Sequence, residues 1–208
     1  YSAKSSYWEK SDKEAFLNKW LQKFDIAHHI KMESVNDGLG ITLRLYKSEE
    51  DTTGQLLADM GFGITQLVSI LLSIVTHGLL VIKEANPPYT IIVIEEPENH
   101  LHPAYQSLLA DMFYDAWKRL GVMFVIETHS EYLIRKTQVI LAGAYAWNKA
   151  ERESCEYDVP PFHNPFKVYY IPKNDKPYEM IYRKDGNFEN DFGPGFYDEA
   201  ANLAFQTL

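Results

Sequence analysis

Residues 91–103 read IIVIEEPENHLHP, and the way this stretch divides decides the fold. With Thr90 before it, the first half is a short, continuously apolar, β-branched run, TIIVIE over 90–95. Strands buried on both faces of a parallel sheet have this composition, whereas strands with one wet face alternate. The second half brings the strand to a stop, because Pro97 cannot donate to a ladder. Pro103 suits the first turn of a helix, which the pattern carries to about Leu120. Gly121 closes that helix, VMFVIE (122–127) reads as a second buried strand, and a helix follows from Ser130 to about Leu141. Strand, helix, strand, helix with short links predicts a parallel α/β sheet with flanking helices.

Working upstream, the chain has no Asp, Glu, Lys or Arg between Asp59 and Lys83. That length would suit a membrane span. However, Gly61, Gly63, Gln66, His77 and Gly78 interrupt it and no clear basic flank accompanies it. A buried helix that follows a glycine turn and runs to about His77 is the better reading, before Pro87-Pro88 ends what comes next. Nearer the start, KEAFLNKWLQKF (13–24) sets Phe16, Leu17, Trp20, Leu21 and Phe24 at helical spacing, with Ser11 or Asp12 as cap. HIKMESVNDGLGITLRLYK (29–47) reads as a hairpin turning at Asn36-Asp37-Gly38.

Downstream of about Trp147, charged residues with Pro160, Pro161 and Pro165 mark a linker-like region. FKVYYI (166–171) and YEMIYR (178–183) read as two strands joined by the turn-rich PKNDKP. Past Asp185-Gly186, Gly193-Pro194-Gly195 precedes a closing helical stretch over 197–205, and no repeat or low-complexity block occurs.

A chain of 208 residues with 46% apolar content is long enough for one packed domain, so disorder is excluded as the default. Against 29 acidic residues it has 20 basic ones, a net charge of −9, so nucleic acid exerts no general pull on it. A single cysteine, Cys155, excludes an internal disulfide and a multi-cysteine zinc site, and suits a reducing cytoplasmic setting. The sequence opens at Tyr1 with no basic n-region or cleavage site, so no targeting peptide is read, and a natural start upstream is expected.

The chemistry concentrates where the two strands end. Glu95 and Glu96 lie at the C-terminal end of the first, where ligands bind in open α/β sheets. In phosphoryl transfer one such acid holds magnesium, often through water, and a neighbour orients the attacking water. Alternate strand residues face opposite ways, so the two acids diverge unless the strand ends between them, which Pro97 favours. The plain alternative is a pair of solvated carboxylates. VIETHSE (125–131) ends the second strand in a polar group around His129, whose ring could donate to a phosphate oxygen. Alone it would read as a loop histidine; one helix from the acidic pair, it reads as part of one site. DMGFGITQ (59–66) offers glycines before a helix, hence backbone N–H groups for an anion, although such turns are common. No G-x-x-x-x-G-K-[ST] phosphate loop occurs anywhere in the chain.

In order and spacing these segments resemble the ABC ATPase family, specifically the standalone AAA-type ATPases related to SMC-like and overcoming-lysogenization-defect proteins. Residues 90–96 resemble the Walker B strand, with Glu95 at the usual aspartate position and Glu96 as the catalytic glutamate. Residues 99–103 resemble the D-loop region, including His102, and His129 resembles the switch histidine. Residues 59–66 resemble the signature motif, with Gly61, Gly63 and Gln66 in a variant form, and DGNFENDFGPGFYDEA looks like a small C-terminal domain of one subgroup.

That resemblance implies the C-terminal lobe of an ABC-type P-loop NTPase. Residues 1–54 would be a helix and β-hairpin insertion, 55–147 the lobe itself, and 148–208 a small β-containing extension. The lobe carrying Walker A would lie in a preceding segment outside this chain. It also implies ATP and magnesium as cofactors, Glu95 on the metal, and a homodimer in which the Gly61–Gly63 loop reaches the partner's nucleotide. DNA or a separate nuclease would be further partners, and relatives of this type occur in antiphage systems such as Septu-like and retron-associated ones.

Two rival classes stand beside it. A metal-dependent hydrolase would use Glu95, Glu96, Glu98, His100, His102 and His129. The residue types suit zinc or manganese, but the histidines lack the i, i+4 spacing of a helical zinc site. An inactive scaffold is the other, and the presence of Glu96 and His129 argues against it. No acidic nuclease block follows His129, so a nuclease within this chain is not expected.

Overall fold

The structure is a computed structural model and describes residues 10–35, 40–77, 90–154 and 163–206. The chain divides into two compact units, Tyr1–His129 and Ser130–Leu208.

In the first unit, α1 (Lys10–Lys23) buries Phe16, Leu17, Trp20 and Leu21, with Phe24 buried just past its end, as the helical spacing requires. It begins at Lys10, so Ser11 and Asp12 fall inside its first turn instead of capping it. Lys19 Nζ and Trp20 Nε1 donate to Asp115 Oδ2 at 2.7 and 2.9 Å, fixing this helix to the helix that carries Asp115. β1 (His29–Val35) and β2 (Gly40–Tyr46) pair antiparallel from His29↔Tyr46 to Val35↔Gly40. The expected Asn36-Asp37-Gly38 turn lies outside the described residues. A two-residue strand, β3 (Gln55–Leu56), joins β2 antiparallel, followed by a 3-10 turn at Leu57–Asp59. Neither had an apolar period long enough to be read.

The uncharged stretch forms α2 (Phe62–His77), which buries Leu67, Val68, Ile70, Leu71 and Ile74. Among the described residues no helix is long and apolar enough to cross a membrane.

β4 (Thr90–Glu95) and β5 (Val122–Glu127) run parallel in register from Thr90↔Val122 to Glu95↔Glu127. Between them α3 (Pro103–Leu120) has Pro103 in its first turn and ends at Gly121, whose φ of 65° is the left-handed conformation a helix C-terminus favours. α3 covers one face of the pair: Phe113 meets Phe124 with ring centroids 4.8 Å apart, and Val122 is buried. The opposite face exposes Ile91, Val93, Met123 and Val125. Burial on both faces was expected; among the described residues only one face has a covering layer.

In the second unit, α4 runs Glu131–Ser154, well past the expected end near Leu141. Gly143 sits in it with open space around its Cα, and the helix-favouring Ala144, Ala146, Lys149 and Ala150 that follow outweigh it. β6 (Val168–Tyr170) and β7 (Tyr178–Met180) pair antiparallel, each shorter than its apolar run. Beyond them aromatic rings pack on one another: Tyr182 with Phe188 at 4.4 Å and Phe192 stacked on Phe196 at 4.5 Å. The Tyr182 hydroxyl lies 2.6 Å from Thr137 Oγ1. A final helix, α5, spans Glu199–Phe205.

Candidate active site

Two backbone turns decide where β4 ends. Glu96 has φ of 45° and His100 has φ of 59°, left-handed conformations that a side chain resists and that swing the chain out of the strand. Glu96 N still donates to Glu127 O at 2.9 Å, a last bond across to β5, while Glu96 O accepts from Gln66 Nε2 at 3.1 Å and Asn99 N at 3.1 Å. Six residues beyond Glu96, His102 caps α3 by accepting from Ala104 N at Nδ1, 3.2 Å away.

At this edge the side chains of Glu96, Glu127 and His129 converge. His129 Nε2 lies 3.1 Å from Glu127 Oε1 and 3.5 Å from Glu96 Oε1, and one ligand atom from each residue falls within 4.8 Å of the others. All three are open to solvent, with side-chain exposures of 76% for His129, 50% for Glu127 and 42% for Glu96. Asn99 Nδ2 donates to the other oxygen of Glu96. The geometry therefore holds Glu96 from several directions: by its N–H, by its carbonyl, and by each carboxyl oxygen.

Glu98 behaves differently. It is buried, 7% exposed, together with Pro97 before it, whereas Asn99 and His100 after it are exposed. Its Oε1 accepts from Thr128 Oγ1 at 2.7 Å and from His129 N at 2.6 Å, while Oε2 has no partner among the described residues. Hydrogen bonds to a charged acceptor contribute about 1.5–3 kcal/mol each, and without them burial of this group would be strongly unfavourable.

The glycine turn is packed against the loop that leaves β4. A Cβ built on Gly63 would stand 2.6 Å from His100 O, a backbone atom, so only glycine fits there. Phe62 meets the edge of the His100 ring at 5.0 Å. Gly61 O accepts from Ile64 N at 3.0 Å and Thr65 N at 3.1 Å, opening α2.

Of the residues singled out in the sequence, Glu96 and His129 are side by side, Gln66 touches the Glu96 carbonyl, and Gly63 abuts the same loop. His102 is occupied as a helix cap. Glu95 ends β4 exposed and outside the three-residue group. Its in-register partner Glu127 joins that group instead, a residue the sequence reading passed over although it ends the second strand as Glu95 ends the first. Asn99 was read only as the start of the D-loop region, and Glu98 had no role of its own in the ATPase reading. The six-residue set required by a metal-dependent hydrolase is not assembled, since His100 packs on Phe62, His102 caps α3 and Glu98 turns to the backbone of His129.

Carboxylate oxygens beside an imidazole fit a hard divalent cation and a phosphate oxygen respectively. Nothing in the chain supplies the glycine-rich cradle that holds a triphosphate. Such a donor set can hold a divalent cation and meet an anion beside it.

The family model described as AAA ATPase domain matches residues 3–134. The chain belongs to this family. The match takes in all of the strand exits just described and ends inside α4. Among solved structures, one from work on the ATP-driven dimerization and DNA-stimulated activation of SMC ATPases is 9% identical, with a TM-score of 0.50. The likeness covers 94% of this chain and 90% of that one. An SMC head bound to the C-terminal winged-helix domain of ScpA is 14% identical, TM-score 0.45, over 60% of this chain and 36% of that chain. No match emerges among the curated proteins. The family match and the first likeness make this an AAA-type ATPase domain with the α/β fold of SMC ATPase heads, the P-loop NTPase class expected from the sequence.

Proposed function

We propose that this chain supplies the hydrolytic edge of an ATPase that binds ATP with magnesium and hydrolyses it in a homodimer. The observation that carries the reading is the meeting of Glu96 and His129, 3.5 Å apart, at the exits of two parallel strands in a member of the AAA ATPase domain family. Phosphoryl transfer of this kind is driven by positioning and charge stabilisation, with little covalent chemistry left to the protein.

Glu96 accepts a hydrogen bond from the attacking water and holds it in line, with Asn99 fixing the direction of its carboxylate. His129 donates from Nε2 to a terminal phosphate oxygen. Bound magnesium supplies positive charge that offsets the phosphate oxygens. Glu95 would hold that ion, through water, with its in-register neighbour Glu127 as a further oxygen donor. Gly61, Gly63 and Gln66 present their turn to the nucleotide of the second subunit, and His102 belongs to the loop that faces it. The triphosphate cradle comes from a lobe outside these residues, so this chain alone does not turn over ATP. A cytoplasmic setting, with DNA or a separate nuclease as partner and a role in antiphage defence, completes the reading.

The test is Glu96→Gln in the complete ATPase, followed by ATP binding and phosphate release. Retained binding with turnover reduced about 10³-fold is expected. Turnover at the wild-type rate would remove the assignment.

A further inference from the structure

Glu98 is buried, yet neither the covered sheet face nor the turn at Pro97 requires an acid at this position. Its carboxylate is directed at one short segment: Oε1 accepts from the Thr128 hydroxyl at 2.7 Å and the His129 N–H at 2.6 Å, and Oε2 meets no donor among the described residues. The burial of the group and the conformation of 128–129 are thus conditional on each other. The His129 ring is largely solvent-exposed, so packing does little to hold it in place. Its position follows from where its backbone is held.

We propose that Glu98 is a positioning residue. Its carboxylate clamps the Thr128–His129 backbone to the loop after β4, so that the imidazole stays within reach of Glu96 and Glu127. This rests on the assignment of Glu96 and His129 to hydrolysis. The clamp joins segments thirty-one residues apart and complements the Glu96 N to Glu127 O bond, which registers the strands at their exits.

The experiment compares Glu98→Ala and Glu98→Gln in the complete ATPase. Gln keeps an oxygen that can accept both bonds, whereas Ala keeps none. For Ala, kcat falls about 10- to 100-fold while KM for ATP stays within about twofold, and Gln recovers most of that loss. A nucleotide-free readout stands beside this. Amide exchange at His129 becomes at least about tenfold faster in the Ala variant, with β4 and β5 protected as before. Unchanged kcat, unchanged exchange at His129, or a Gln variant as impaired as Ala overturns the proposal. If Ala does not fold, Thr128→Val carries the test, with exchange at His129 rising at least about threefold; no rise overturns it. Should Glu96→Gln retain full turnover, the hydrolytic reading falls, while the exchange measurement separately decides whether Glu98 is the clamp.

Discussion

The strand exits of the first unit and the aromatic cluster of the second use polar groups in opposite ways. In the second unit the Tyr182 hydroxyl is satisfied internally by Thr137, and rings close around it. In the first, Glu96, Glu127 and His129 stand open to solvent in a group that contains more negative than positive charge, while the backbone beneath them is tied down. One region ends in satisfied partners and serves stability. The other holds reactive groups in place and leaves their outer sides free, as a site that must receive a ligand does.

The sharpest way to break this contrast is to exchange the expected losses. Glu96→Gln is expected to lower turnover about 10³-fold and leave the unfolding midpoint nearly unchanged, because the group is exposed and its amide can still accept. Tyr182→Phe is expected to do the reverse, leaving turnover intact and costing about 1 kcal/mol of stability. Turnover assays and thermal melts on both variants decide it, and a Tyr182 variant with impaired turnover would abolish the division of labour.

Gly63 probes the same contrast from within the first unit. Adding a methyl group there forces it against His100 O, and strain of this kind costs about 1–3 kcal/mol. Because that loop also carries Glu96 and Glu98, Gly63→Ala should lower both the unfolding midpoint and turnover. Gly143→Ala, with open space around it, should be neutral or slightly stabilising in its helix. Equal behaviour of the two alanine variants in a denaturant titration would show that the close approach at Gly63 is inconsequential.

The elements around the site were legible in the sequence because each is punctuated locally. Pro103 and Gly121 bound α3 at both ends, and Pro97 and Gly121 frame the two apolar runs. Where punctuation conflicts with propensity, as at Gly143, the end of α4 was placed too early. The meeting of Glu96 and His129 could be expected from strand order alone, since adjacent parallel strands deliver their exits to one edge. Glu127 was hidden by that same logic: a strand-end acid in register with Glu95 reads as another solvated carboxylate until its distance to the ring is known. Glu98 could not have been read as buried, because what makes burial possible is a pair of donors thirty or more residues away.

A pH titration separates the two units by sign. Burial raises the Tyr182 hydroxyl to about 12 from its usual 10.0, with the Thr137 bond opposing the shift. The neutral form is the one the folded state favours. Its contribution is therefore complete below pH 10.0 and is lost as pH rises through about 12. The loss should be about 1–2 kcal/mol, seen in denaturant titrations at pH 9.5 and 12 and absent from Tyr182→Phe. A variant that weakens in parallel with wild type over that range would assign the effect to another group.

The smallest effect is expected at Asp51, which combines the two habits by being partly exposed yet well partnered. Its Oδ1 accepts from Gly54 N at 3.0 Å and Thr53 N at 3.1 Å, and its Oδ2 from Lys47 N at 3.1 Å. These bonds, that from Gly54 foremost, hold the carboxyl down at about 2 from its usual 3.8. The sign is opposite to that of Tyr182: the charged form is favoured, so its support for the 47–54 turn is present above pH 3.8 and lost as pH falls through about 2. The Gly54 amide resonance should accordingly titrate near pH 2, and Asp51→Asn should flatten that titration while barely moving the unfolding midpoint. A midpoint near 3.8 would mean that the three amides do not recognise the charge, leaving the turn to be held by its backbone geometry alone.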